Sequence, residues 1–97
     1  MDSCMDCVRK HLGQAAALMD EAVLGYPTHR WRAVGHLAEA ERESLPEYPG
    51  LAVSIREERL AYIADPDYRV PVDRLIREAS ENARVLSEKL SEQDSEE

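Results

Sequence analysis

Proline and glycine cut this chain into four pieces, and the residues between the cuts keep helical spacing. Gly25-Tyr26-Pro27, Pro46 with Pro49, and Asp65-Pro66-Asp67 followed by Pro71 are the cuts. Proline lacks an N–H and clashes with the preceding turn, while glycine accepts the left-handed backbone of a helix end. In between, apolar residues recur at steps of three and four: Val8, Leu12, Ala15, Met19 and Ala22 in the first piece, then Trp31, Val34, Leu37 and Ala38 in the second. That spacing marks helices buried along one face. Leu51 to Ile63 makes a third helix with a less regular stripe. Phe is absent and aromatic residues make up only 5% of the chain, a composition that favours helix over strand. The fold class is therefore all-α, a small four-helix bundle. Ninety-seven residues suffice for one core, so residues 1–90 form a single helical domain.

Local signals set the helix ends. Ser3 and Asp6 have capping-box spacing before the first helix, which ends near Leu24. Thr28 is the N-cap of a second helix running to about Ser44, and Pro71 suits the first position of a fourth. In that last helix Val72, Ile76, Ala79, Ala83, Leu86 and Leu90 form a heptad seam. It exceeds what a small domain needs from one helix, so its distal half is expected to pair with a second copy, making a homo-oligomer through helix 4.

The short Gly25-Tyr26-Pro27 corner makes helices 1 and 2 an antiparallel hairpin. Centring the reversal on Tyr26-Pro27 sets Arg9 and Lys10 opposite Glu43, and Asp20 and Glu21 opposite Arg32 with His29 and Arg30 nearby. These charges oppose the helix dipoles, and pairing across the hairpin offsets that conflict. The same register sets Gly35 and Ala38 against Ala15 to Leu18 for close contact, and Trp31, on the apolar run of the second helix, is read as core.

The formal charge is −8, from 12 Lys+Arg against 20 Asp+Glu. Such a balance argues against direct nucleic-acid binding by general electrostatic attraction. Four of the acids and none of the bases lie in residues 91–97, read as a disordered acidic tail. No stretch has the length of a membrane span and the first residues do not form a signal peptide, so a cytoplasmic protein without membrane contact is expected. In a reducing compartment two cysteines read as metal ligands, a reactive pair or buried thiols, rather than as a structural disulfide.

The residues richest in chemistry are Cys4-x2-Cys7-x3-His11. Thiolates and imidazoles are zinc ligands, and the C-x2-C spacing is common in structural zinc sites. On one continuous helix Cys4 and His11 would stand about 10 Å apart along the axis. Cys4 is therefore placed in a turn before the helix, with Cys7 and His11 sharing a face. The fourth ligand is His36, Glu43 or water. His36 is the right residue type but lies opposite residue 17, so reaching His11 requires a shifted register. A second cluster, His29, Arg30, Trp31 and Arg32 at a helix start, has the cations and the aromatic face to hold an anionic nucleotide.

The Cys4-x2-Cys7-x2-Lys10-His11-Leu12 opening, the Gly25-Tyr26-Pro27 corner and Gly35-His36-Leu37-x-Glu39-Ala40-Glu41 resemble small uncharacterised helical proteins encoded by bacteriophages and prophages. The resemblance spans residues 4–45. It implies that Cys4, Cys7, His11 and His36 act together on a metal, and that the role is phage-associated; a host or phage protein is a further expected partner.

The reading is a non-enzymatic, zinc-stabilised helical interaction module. A binder that sequesters an anionic nucleotide at His29–Arg32 is the alternative. A small zinc hydrolase with an open metal position ranks third, because no set of general base, nucleophile and anion stabiliser can be assembled from the sequence.

Overall fold

Four helices follow one another close to the bounds set by the proline and glycine cuts: α1 (Met5–Val23), α2 (His29–Ser44), α3 (Pro49–Ala64) and α4 (Val72–Ser95). The computed structural model describes residues 4–95, apart from the side chains of residues 86, 87 and 89–95, and the described residues include no strand. It is an all-α bundle in which α1 packs on both α2 and α4, and α3 closes against α2 and α4. Ser3 lies outside the described residues. The N-cap of α1 is Cys4, with extended backbone and a sulfur that accepts the Cys7 N–H. Thr28 occupies the N-cap position of α2, but its backbone is already helical and its side chain makes no cap bond.

The α1–α2 corner sets the register of the hairpin. Gly25 has φ of +117°, a conformation that costs glycine little because it has no Cβ. The N–H groups of Leu24 and Tyr26 both return to the Glu21 carbonyl. Immediately afterwards His29 N–H donates to the Tyr26 carbonyl at 2.9 Å and Arg30 N–H to that of Pro27 at 3.2 Å. The chain is therefore winding back beside α1 by Tyr26, and the reversal centres on Gly25 rather than on Tyr26-Pro27. That difference slides α2 along α1 and changes which residues meet. Arg9, expected opposite Glu43, instead pairs with Asp6 and reaches Ser80 on α4 at 3.4 Å. Gly35, expected to allow close helix contact, has open space where a Cβ would stand.

The core runs along one face of each helix: Val8, Leu12 and Ala15 from α1, Leu37 and Ala40 from α2, Leu51 and Ile55 from α3, Leu75 and Ala79 from α4. Trp31 is not part of it. The residue is 59% exposed, because the buried line of α2 passes through Ala33, Leu37, Ala40 and Ser44, and Trp31 falls off that line. Ser44 is accommodated by donating its hydroxyl to the Ala40 carbonyl at 2.8 Å. Two ion pairs tie the outer layer together, Arg59 with Glu41 between α3 and α2, and Arg74 with Glu58 between α4 and α3.

On α4, Val72, Leu75 and Ala79 are buried, with Ile76 and Ala83 packed beside them. The proximal half of the heptad seam is thus spent on the bundle, with Leu75 added to it. Arg9 meets Ser80, while Met19 and Val72 line one groove, so α1 and α4 are antiparallel. At that register the start of α1 is level with about residue 85. The last ten residues of α4 extend about 15 Å beyond it at 1.5 Å per residue, and the molecule is 57 Å long by 21 and 18 Å. The bounds of α4 take in Ser91 to Ser95 of the acidic segment. Leu86 and Leu90 have side chains outside the described residues.

Candidate functional site

At the start of α1 the backbone places Cys4 and Cys7 across the first turn, with Cα atoms 5.2 Å apart, and their sulfurs are joined as a disulfide. The sequence reads as metal ligands, a reactive pair or buried thiols rather than a structural disulfide, and the structure has the two sulfurs bonded to each other. Placing Cys4 before the helix, in extended backbone, lets its side chain fold back over the turn and bring the two sulfurs together. Both cysteines are half-buried. His11 follows Cys7 by four residues, so the two share a face of α1 with Cβ atoms about 5–6 Å apart.

His11 meets His36. The two Nδ1 atoms are 2.9 Å apart, with ring centroids at 5.2 Å and planes tilted by 33°. The register shift that His36 requires is thus present. Moving the reversal to Gly25 supplies part of it, and the reach of two imidazoles along the helix axes closes the rest. At 2.9 Å one ring donates and the other accepts, so the tautomers are coupled. Burial, followed by the neighbouring His11 and Arg32, pushes the His36 imidazole below its ordinary pKa, and Glu39 opposes the shift. A neutral imidazole is the metal-competent form.

The four sequence-predicted ligands therefore stand as two pairs, Cys4 with Cys7 and His11 with His36. Among the described residues no group of three or more His, Cys, Asp or Glu side chains is arranged to hold a metal ion.

The corner cluster behaves differently. His29 Nδ1 lies 2.6 Å from a Glu21 carboxylate oxygen and its ring stacks on Tyr26. Arg30 crosses to the end of α3, donating to the carbonyls of Tyr62 at 3.0 Å and Ile63 at 2.6 Å. Its guanidinium stands 4.6 Å from the Trp31 ring and 5.4 Å from that of Tyr62. A cation on the last carbonyls of a helix is a C-terminal cap. Of the proposed nucleotide-binding set, Trp31 and Arg32 are exposed, while His29 and Arg30 are half-buried against partners in their own chain.

Sequence reasoning passed over an open groove between the C-terminal half of α1, the α3–α4 connection and the start of α4, where Met19, Tyr62, Arg69 and Arg77 come together with Asp20 and Asp73. Two stretches of the chain, residues 16–23 and 62–77, build it, so no local motif points to it, and its charges are of both signs. No helix among the described residues is long and apolar enough to cross a membrane. No protein family, curated protein or solved structure matches this chain.

Proposed function

We propose that the chain is a non-enzymatic helical interaction module whose α1–α2 hairpin is stapled by one zinc ion on Cys4, Cys7, His11 and His36, in the phage-associated setting that its sequence resemblance implies. The observation that carries this reading is the His11–His36 contact at 2.9 Å between two helices, beside a cysteine pair one helical turn away. Tetrahedral zinc with Zn–N bonds of about 2.05 Å separates two ligand nitrogens by about 3.3 Å, a small opening from that contact. A domain with so few large core side chains gains from a staple that closes a hairpin. Zinc titration of the reduced full-length protein, followed by elemental analysis, tests it. One zinc per chain is expected, with loss in Cys4→Ser and in His36→Ala. Equal metal content in all three proteins overturns the ligand set.

The nucleotide reading has less support, since His29 and Arg30 already hold Glu21 and the end of α3. The projection of α4 past the start of α1 favours association with a second copy along that helix. Sedimentation of Leu86→Asp checks it: a fall from dimer to monomer mass supports the pairing, and an unchanged mass opposes it.

A further inference from the structure

The groove beside the start of α4 gathers charged side chains that the fold does not use. Its volume is about 670 Å³, within the range of ligand sites. Arg69 comes from the α3–α4 connection, Asp73 and Arg77 from successive turns of α4, and Asp20 from α1. Asp73 and Arg77 have the spacing of a helical ion pair. Yet among the described residues none of these four side chains makes an ion pair or a hydrogen bond. Tyr62 lines the same groove and is only 3% exposed. Its backbone carbonyl is held by Arg30, but its hydroxyl makes no hydrogen bond among the described residues. A buried hydroxyl left without a partner costs free energy, and an occupant of the groove would supply one. Burial pushes this phenol above its ordinary pKa, with Arg30 opposing the shift, so the group keeps its proton and can donate.

We infer that the groove is a docking site for a short linear segment of a partner protein, one that carries an acidic and a basic residue on either side of an apolar one. This rests on the interaction-module reading above and names the partner's chemistry; the metal plays no part in it.

The charges decide the class of occupant. A purely anionic ligand, such as a phosphate, would meet Arg69 and Arg77 but also Asp20, Asp67 and Asp73, and the carboxylates would repel it. A purely cationic ligand meets the converse. A segment with both signs can set its carboxylate on an arginine and its ammonium on an aspartate, which fixes its direction in the groove. The apolar residue between them has Met19, half-buried, and Val23, 74% exposed, to cover, and methionine adapts to the shape it meets. The peptide backbone offers the Tyr62 hydroxyl a carbonyl. The walls are held before any partner arrives. Arg74 and Tyr68 both bond Glu58 on α3, and in the connection Asp65 accepts the Asp67 N–H on its side chain and the Tyr68 N–H on its carbonyl, each at 3.0 Å. Ordering on binding is thus confined to the peptide, which limits its cost.

The test uses the full chain, with titration calorimetry and amide chemical-shift changes as readouts. The probes are capped pentapeptides: Lys-Ala-Leu-Ala-Glu and Glu-Ala-Leu-Ala-Lys carry both signs, while Lys-Ala-Leu-Ala-Lys, Glu-Ala-Leu-Ala-Glu and inorganic phosphate carry one. One of the two mixed peptides should bind about tenfold more tightly than any probe of a single sign. Arg77→Ala and Asp20→Ala should each weaken that binding about three- to tenfold. Tyr62→Phe should weaken it by about the same factor and leave the melting temperature unchanged, because the hydroxyl bonds nothing in the fold. If phosphate or the doubly acidic peptide binds best, the groove is an anion site and the inference is overturned. If a mixed peptide binds but all three variants bind it as well as the parent, the groove is overturned while the chain remains an interaction module. If no peptide binds at millimolar concentration, the inference is overturned, and zinc titration of the reduced protein still decides the staple by itself.

Discussion

The two ends of the α1–α2 hairpin are built from similar materials and use them in opposite ways. At the corner, His29 and Arg30 are both engaged within the fold, His29 by Glu21, near which the sequence register sets it, and Arg30 by the last carbonyls of α3. At the far end, His11 and His36 turn on each other across the hairpin, and Cys4 and Cys7 do the same across a turn. One end spends its polar groups on holding a third helix. The other leaves two pairs that satisfy themselves, and among the described residues they form no group of three or more arranged to hold a metal ion. A cluster of functional residue types is therefore weak evidence for a site until the partners of each group are known, because the same cations that could hold a phosphate also cap a helix.

The largest expected effects at the corner separate a structural clamp from a ligand site. Arg30→Ala removes charged hydrogen bonds to the Tyr62 and Ile63 carbonyls, so it should destabilise the fold by about 1.5–3 kcal/mol in urea denaturation. Had Arg30 been held in reserve for an anion, the loss would be near zero. Trp31→Ala, measured alongside, should cost about 0.5–1 kcal/mol for the lost cation–π contact. A Trp in the core would cost about 3–5 kcal/mol. A Trp31 loss above that of Arg30 would reverse this account of the corner.

Much of the fold was legible because its signals are local. Proline and glycine end helices through their own backbone chemistry, and the faces through Val8, Leu12 and Ala15 or Leu37 follow from helical spacing alone. At the candidate site the legible part was again local: Cys4 before the helix, and Cys7 and His11 on one face. The contact of His11 with His36 depended on where the hairpin reverses. A difference of one or two residues at Gly25 moves every cross-hairpin pair, and sequence spacing does not fix that. Trp31 is outside for another reason, since the buried line of α2 runs through Ala33, Leu37, Ala40 and Ser44 and Trp31 falls off it. The joining of Cys4 to Cys7 was not legible, because C-x2-C spacing serves a disulfide and a metal equally well. The hold of Arg30 on α3 was not legible for a different reason, since its acceptors are more than thirty residues away.

The smallest expected effect has the opposite sign and probes that register between the two ends. Under the sequence-level register Gly35 faces Ala15 to Leu18, and a methyl group there would push α1 and α2 apart. In the structure the added Cβ meets nothing within 4 Å, while Gly35 sits in the interior of α2 with ordinary helical backbone. Glycine there loses more backbone freedom on folding than alanine, a difference of about 0.5–1 kcal/mol. Gly35→Ala should therefore raise stability by about that much, seen as a melting temperature a few degrees higher. The His11–His36 contact should stay in place, since the substitution touches neither residue. A destabilised Gly35→Ala would mean that the helices do approach at this point. The hairpin would then return to a reversal at Tyr26-Pro27, and that register carries His36 away from His11.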